Sequence, residues 1–174
     1  MNDTSTLLLL ALIPSIVVFL TAFYILRQFI GREQAGRIAE IRREDHRHTL
    51  PLRLQAYERL VLFLERISPG GLVLRVHKSN MTARMLHAEL TATVREEFEH
   101  NVTQQIYVSD RAWALVRQAK DETIRIINIA FEHTEDHAPG TALSQQVFET
   151  AGRLTHLPSD AAIVGIKEEV RRLF

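Results

Sequence analysis

The spacing of apolar positions changes character twice along the chain. From Leu7 to Leu26 it reads LLLLALIPSIVVFLTAFYIL, 20 residues without a charge. From Arg27 to His48, RQFIGREQAGRIAEIRREDHRH is charged, with sparse apolar positions at Ile30, Ile38 and Ile41, and predicts a helical stem softened at Gly31 and Gly36. From Leu50 the leucines recur at helical spacing. Pro51 suits a first helical turn, Ser68 is pushed out of the α region by Pro69, and Gly70 and Gly71 supply stop residues, so a helix is predicted over about 50–67. Its apolar residues spread over roughly 200° of the circumference, too wide for one neighbouring helix; it must meet two or more, within the domain or across a homo-oligomer interface. Arg59 and Arg66 fall on the remaining arc with Gln55, Glu58, Glu65 and Leu62. Arg53 sits near the middle of the apolar arc. Either its stem packs while the guanidinium reaches water or a nearby Glu, or it makes a buried ion pair or a lipid-phosphate contact.

Farther on the helical signals continue. LVLRVH, Leu72 to His77, is too short to classify and reads as a strand-like connector or an irregular turn. A long helix is predicted from Met81 to about Gln105. Ser109 suits an N-cap, with Asp110 in the first turn, for a helix through Trp113, Val116, Ile127 and Phe131 that ends at HAPG, 137–140. A shorter helix is predicted over about 142–154. Ser159 and Asp160 would cap a last one, with Ile163, Ile166, Val170 and Leu173 on one face and Arg171 and Arg172 at its C-terminal dipole end. The fold class is therefore all-α: an N-terminal tail and transmembrane helix over 1–26, a stem over 27–49 and a helical bundle over 50–174.

The transmembrane expectation rests on length, since a 20-residue helix spans a hydrocarbon core of ~30 Å. A cleaved signal peptide fits worse, because MNDTST lacks a basic n-region and no small-x-small site follows Tyr24. Asp3 but no Lys or Arg precedes the run, whereas Arg27, Arg32, Arg37, Arg42, Arg43 and Arg47 follow it. That asymmetry places the N-terminus outside and the body in the cytoplasm. The total is 174 residues, 46% apolar and 24% charged, with no formal net charge, which is ordinary for a packed protein and argues against a nucleic-acid partner needing a broad cationic surface. No cysteine occurs, so disulfides, thiolate metal sites and cysteine nucleophiles are excluded.

Candidate chemistry concentrates near the end of the 81–105 helix. Leu86, Leu90 and Val94 begin an apolar stripe, yet the next positions on that face are Glu97, Asn101 and Gln104, with His100 and Gln105 at its edges. Either the stripe drifts onto Phe98, Val102 and Ile106 around a curved helix, or EHNVTQQ is a partly buried polar network with Tyr107 and Trp113 near its far end. A metal alternative would join Glu97 and His100, a Glu-x-x-His pair, to His133 and His137. No G-x-S-x-G elbow or Walker glycine loop occurs, and no cofactor is expected.

The strings LPLRLQAYERLVLFLERISP, EFEHNVTQQIYVSDRAW and IKEEVRRLF resemble those of an uncharacterised bacterial family of small proteins with an N-terminal hydrophobic helix. The resemblance implies an anchored cytoplasmic helical protein and brings no catalytic residues. The expectation is a single-pass protein of the bacterial inner membrane, whose bundle binds a protein partner or itself as an accessory or scaffolding subunit. The alternative is a membrane-tethered metal- or small-ligand-binding enzyme using the Glu97 to Gln105 face.

Overall fold

A computed structural model describes residues 2–173, with side-chain environments for 14–27 and 49–173. Leu7–Ile13 of the apolar run and residues 28–48 of the stem lie outside the described side chains. The chain forms helices α1 (Asn2–Ile67), α2 (Pro69–Val76), α3 (Ala83–Glu99), α4 (Asp110–Glu132), α5 (Gly140–Gly152) and α6 (Pro158–Leu173), with a 3₁₀ turn at Val102–Ile106. Among the described residues there is no strand, and the fold is all-α. It divides into two units, Met1–Thr49 and Leu50–Phe174.

In the first unit, the described part of the apolar run is helical, and every residue from Pro14 to Arg27 is exposed, among them Val18, Phe19, Phe23 and Tyr24. Among the described residues no helix is long and apolar enough to cross a membrane.

In the second unit, α4 is the central element and packs against α3, α5 and α6, while α2 lies on α3 and α5. The C-terminal part of α1 contributes Tyr57, Leu60, Phe63, Leu64 and Ile67 to the same core. Its wide apolar arc is mostly covered, with Leu52 and Leu54 left exposed at its beginning. Glycine matters at the closest approaches. A Cβ on Gly140 would stand 3.0 Å from the Met81 carbonyl, which accepts the Gly140 N–H, so the chain before α3 and the start of α5 pass backbone to backbone. Thr82 and Pro139 pair there as an isolated antiparallel bridge. A Cβ on Gly165 would run into the side chain of Leu115, so α6 lies close against α4.

Several boundaries differ from the sequence expectations, for local reasons. LVLRVH is not a strand-like connector: Pro69 opens α2 at its first turn, and the break falls on Ser68 (φ −55°, ψ 126°). Proline at a first helical position starts a helix as readily as it stops the previous one. The helix expected to reach Gln105 ends at Glu99. There the Asn101 side chain donates to the Glu97 carbonyl at 2.8 Å, taking the acceptor that its own N–H would have used, and that N–H bonds to Phe98 instead at 2.9 Å. The side chain thus competes with the helix and tightens its end into 3₁₀ geometry. Ser109 accepts the Ala112 N–H at 3.1 Å as the cap of α4. Ser159 is not a cap; it lies inside the first turn of α6, fully buried, its hydroxyl without a hydrogen bond among the described residues.

Leu64→Ala, at a position with no solvent exposure, is expected to cost about 2–5 kcal/mol, whereas Arg59→Ala on the exposed face should change stability by less than about 0.5 kcal/mol. Denaturant unfolding of the two variants beside the parent checks this.

Candidate interaction site

Three neighbouring features gather around α1. The first is the polar end of α3. The Glu97 carboxylate accepts from Arg66 Nε at 2.7 Å and lies 3.6 Å from Arg75, whose guanidinium also donates to the Arg66 carbonyl at 3.2 Å. The arginines are partly exposed, and pairs of this kind contribute about 0–1 kcal/mol, so they orient the α1–α2 corner more than they hold it. Asn101 is 8% exposed. Glu97, His100 and Asn101 share a shallow pocket of about 260 Å³ with Arg59, Leu62 and Arg66. The stripe alternatives divide: Phe98 stays against the core, but Val102 and Ile106 face solvent, while Asn101 turns inward.

The other sequence candidates are dispersed. Gln104 and Gln105 lie on the 3₁₀ turn, Gln104 half-buried and Gln105 exposed. Trp113 is a core residue whose ring stacks on Phe98, centroids 5.3 Å apart. His133 and His137 are exposed beyond α4. Among the described residues no three His, Cys, Asp or Glu side chains form a group able to hold a metal ion, so the alternative set Glu97, His100, His133 and His137 is not assembled.

The second feature is a polar clasp built on Glu169, absent from the sequence candidates. Its carboxylate accepts from the Tyr57 hydroxyl and from the Ser109 hydroxyl and, at 3.4 Å, from the Ser109 N–H. Arg53 stands beside it, its Nε donating to the Tyr107 carbonyl at 3.0 Å. The arginine on the apolar arc thus has a backbone oxygen at the end of the 3₁₀ turn as its partner, with the Glu169 charge nearby. Burial opposes the charge on Glu169, but the hydrogen bonds from Ser109 and Tyr57, with the field of Arg53, outweigh it and hold the carboxyl below its ordinary value. Burial and the bond to Glu169 hold the Tyr57 phenol above its ordinary value, against the pull of Arg53. The signal in the sequence was Glu169 at the edge of the α6 apolar stripe, three residues after Ile166.

The third feature is a groove of about 510 Å³ between α1 and α6. Leu54, Val61, Leu62 and Val170 give it an apolar lining, with Leu62 59% exposed and Leu54 37% exposed. Glu58 and Glu65 stand on the α1 wall, Lys167 and Arg171 on the α6 wall. Leucines left in solvent on a packed helix, rimmed by charges, are the usual chemistry of a helix-binding surface.

These features define a small all-α protein with a solvent-facing apolar groove. The chain belongs to a family of unknown function, DUF7935, whose model matches residues 3–173. No curated protein and no solved structure matches the chain.

The Glu169 clasp has a pH signature. A carboxyl held below its unfolded-state value adds stability that is present above the unfolded value and is lost as pH falls through the folded one. Glu169→Gln lacks this contribution, so the stability gap between parent and variant should shrink as pH falls from about 6 to about 3. Urea unfolding at a series of pH values measures it; a gap independent of pH would mean that the carboxylate charge is not what the clasp uses.

Proposed function

We propose that this is a single-pass protein of the bacterial inner membrane whose cytoplasmic helical bundle acts as an accessory or scaffolding module, binding a protein helix in the groove between α1 and α6. The observation that carries the reading is the exposed Leu62 and Leu54 in a groove with Val61 and Val170, flanked by acid on one wall and base on the other. A helix supplying an apolar stripe with charged edges matches that surface in both chemistry and shape.

The membrane part of the proposal is supported by the uncharged 20-residue run Leu7–Leu26 and the arginines that follow it. Its described part presents apolar side chains all round, a distribution that suits a helix surrounded by lipid. The Glu97, His100 and Asn101 pocket offers less support for an enzyme. Its carboxylate is already engaged by Arg66, and Asn101 spends its amide on the Glu97 carbonyl.

Two measurements test this. A reporter fused after Phe174 should be active in the cytoplasm and inactive in the periplasm; the reverse would overturn the topology. A photo-crosslinking residue at position 62 of the full chain in cells should give a discrete protein adduct, identified by mass, while the same residue at Arg117 on the exposed face of α4 should give none. Absence of an adduct at 62 would remove the groove as a protein-binding site.

A further inference from the structure

If the α1–α6 groove binds protein, as proposed for its function, the charges on its walls narrow the choice of partner. The two walls carry opposite charge, Glu58 and Glu65 on α1 against Lys167 and Arg171 on α6, and among the described residues none of these four side chains is ion-paired or hydrogen-bonded within the chain. All four are exposed. The Tyr57–Glu169 hydrogen bond fixes the height of one wall against the other. Glu58 follows Tyr57, while Lys167 and Arg171 flank Glu169 by two residues on either side, about 3 Å along the axis each way. Glu58 therefore lies within about one helical turn of both basic residues along the groove, on the opposite wall.

We propose that the occupant of the groove is a second copy of this chain, paired about a two-fold axis that runs along the groove, with Glu58 of each copy against Lys167 and Arg171 of the other. Two-fold pairing of groove on groove can be arranged in two ways. An axis crossing the helices would lay α1 on α1 and α6 on α6, setting acid against acid and base against base. An axis along the helices lays each α1 wall on the partner's α6 wall at the same height, so both charge contacts are favourable and Leu54 and Leu62 meet apolar surface. The second arrangement also runs the two copies of α1 in the same direction, so both chains enter their bundles at the same end, as two copies tethered in one membrane require. A zero formal net charge adds no long-range repulsion between copies, and a shared membrane raises their effective concentration. Because the contact is isologous it closes at a dimer.

The test uses the full chain in detergent or nanodiscs, with mass measured by native mass spectrometry or light scattering. The wild type is expected to dimerise. Glu58→Arg alone, or Lys167→Glu with Arg171→Glu, should weaken the dimer at least about tenfold, and the three changes combined in one chain should restore it. At dilutions where all four proteins are monomeric, their circular-dichroism melts should coincide, since every changed side chain is exposed. The absence of native cysteine allows a second readout. A mixture of Glu58→Cys and Arg171→Cys chains should form a disulfide heterodimer, while Glu58→Cys chains alone should not link. A monomeric wild type at tens of micromolar, or a triple variant no better than its parents, would overturn self-pairing. A monomeric wild type whose position-62 adduct is a different protein would overturn it too, while leaving the groove a binding site; no adduct at all would remove both.

Discussion

The Glu169 carboxylate is the point on which the second unit is drawn together. It reaches Tyr57 on α1 and both the hydroxyl and the amide of Ser109, the cap of α4, so a single side chain on the last helix joins the first helix to the start of the central one. Those elements are 112 and 60 residues away in sequence. The hydrophobic effect drives α1, α4 and α6 together but has no direction, so burial alone leaves the register of α6 along α1 loosely set. The clasp removes that freedom, because only one register satisfies the carboxylate.

The end of α3 serves the same junction from the other side. By bonding back to Glu97, Asn101 closes the helix and leads the chain into the 3₁₀ turn, just after which the Tyr107 carbonyl takes the Arg53 guanidinium. A helix continuing to Gln105 would have carried the Tyr107 carbonyl elsewhere and left Arg53 without that partner. The polar stretch after Val94 thus ends α3 and positions the Tyr107 carbonyl. The same junction sets the walls of the α1–α6 groove at their relative height.

Much of the fold was legible from periodicity. The helical face of 50–67 and its end at Ile67, the Ser109 cap and the apolar faces of α4 and α6 are properties of residues three and four apart, and the structure carries each of them, but the helix does not begin at Pro51: α1 runs through it without a break. What periodicity missed depends on single side chains. Pro69 reads equally as a stop and a start, and the eight residues of α2 hold too few turns to show a pattern. Asn101 is an ordinary polar residue until its amide finds the Glu97 carbonyl. The site was less legible, because a site is a set of contacts between distant segments. The sequence candidates included Arg53, Glu97 and Asn101 but not Tyr57, Arg66 or Glu169, whose partners lie 112, 31 and 112 residues away. The Glu169 charge at the edge of an apolar stripe was visible, but nothing local named its partner.

The stack at the α1–α3–α4 junction gives the molecule a built-in optical reporter. Trp113 is the only tryptophan in the chain, and its indole lies on Phe98, which meets Phe63 of α1 edge-on at 6.0 Å and carries the Lys120 ammonium 4.8 Å from its centroid. An indole so enclosed emits in an apolar setting, with a cation one ring away. Any loosening of α1 from α3 admits water to that ring pair and moves the emission to the red, so unlabelled protein announces the state of this junction by its own fluorescence.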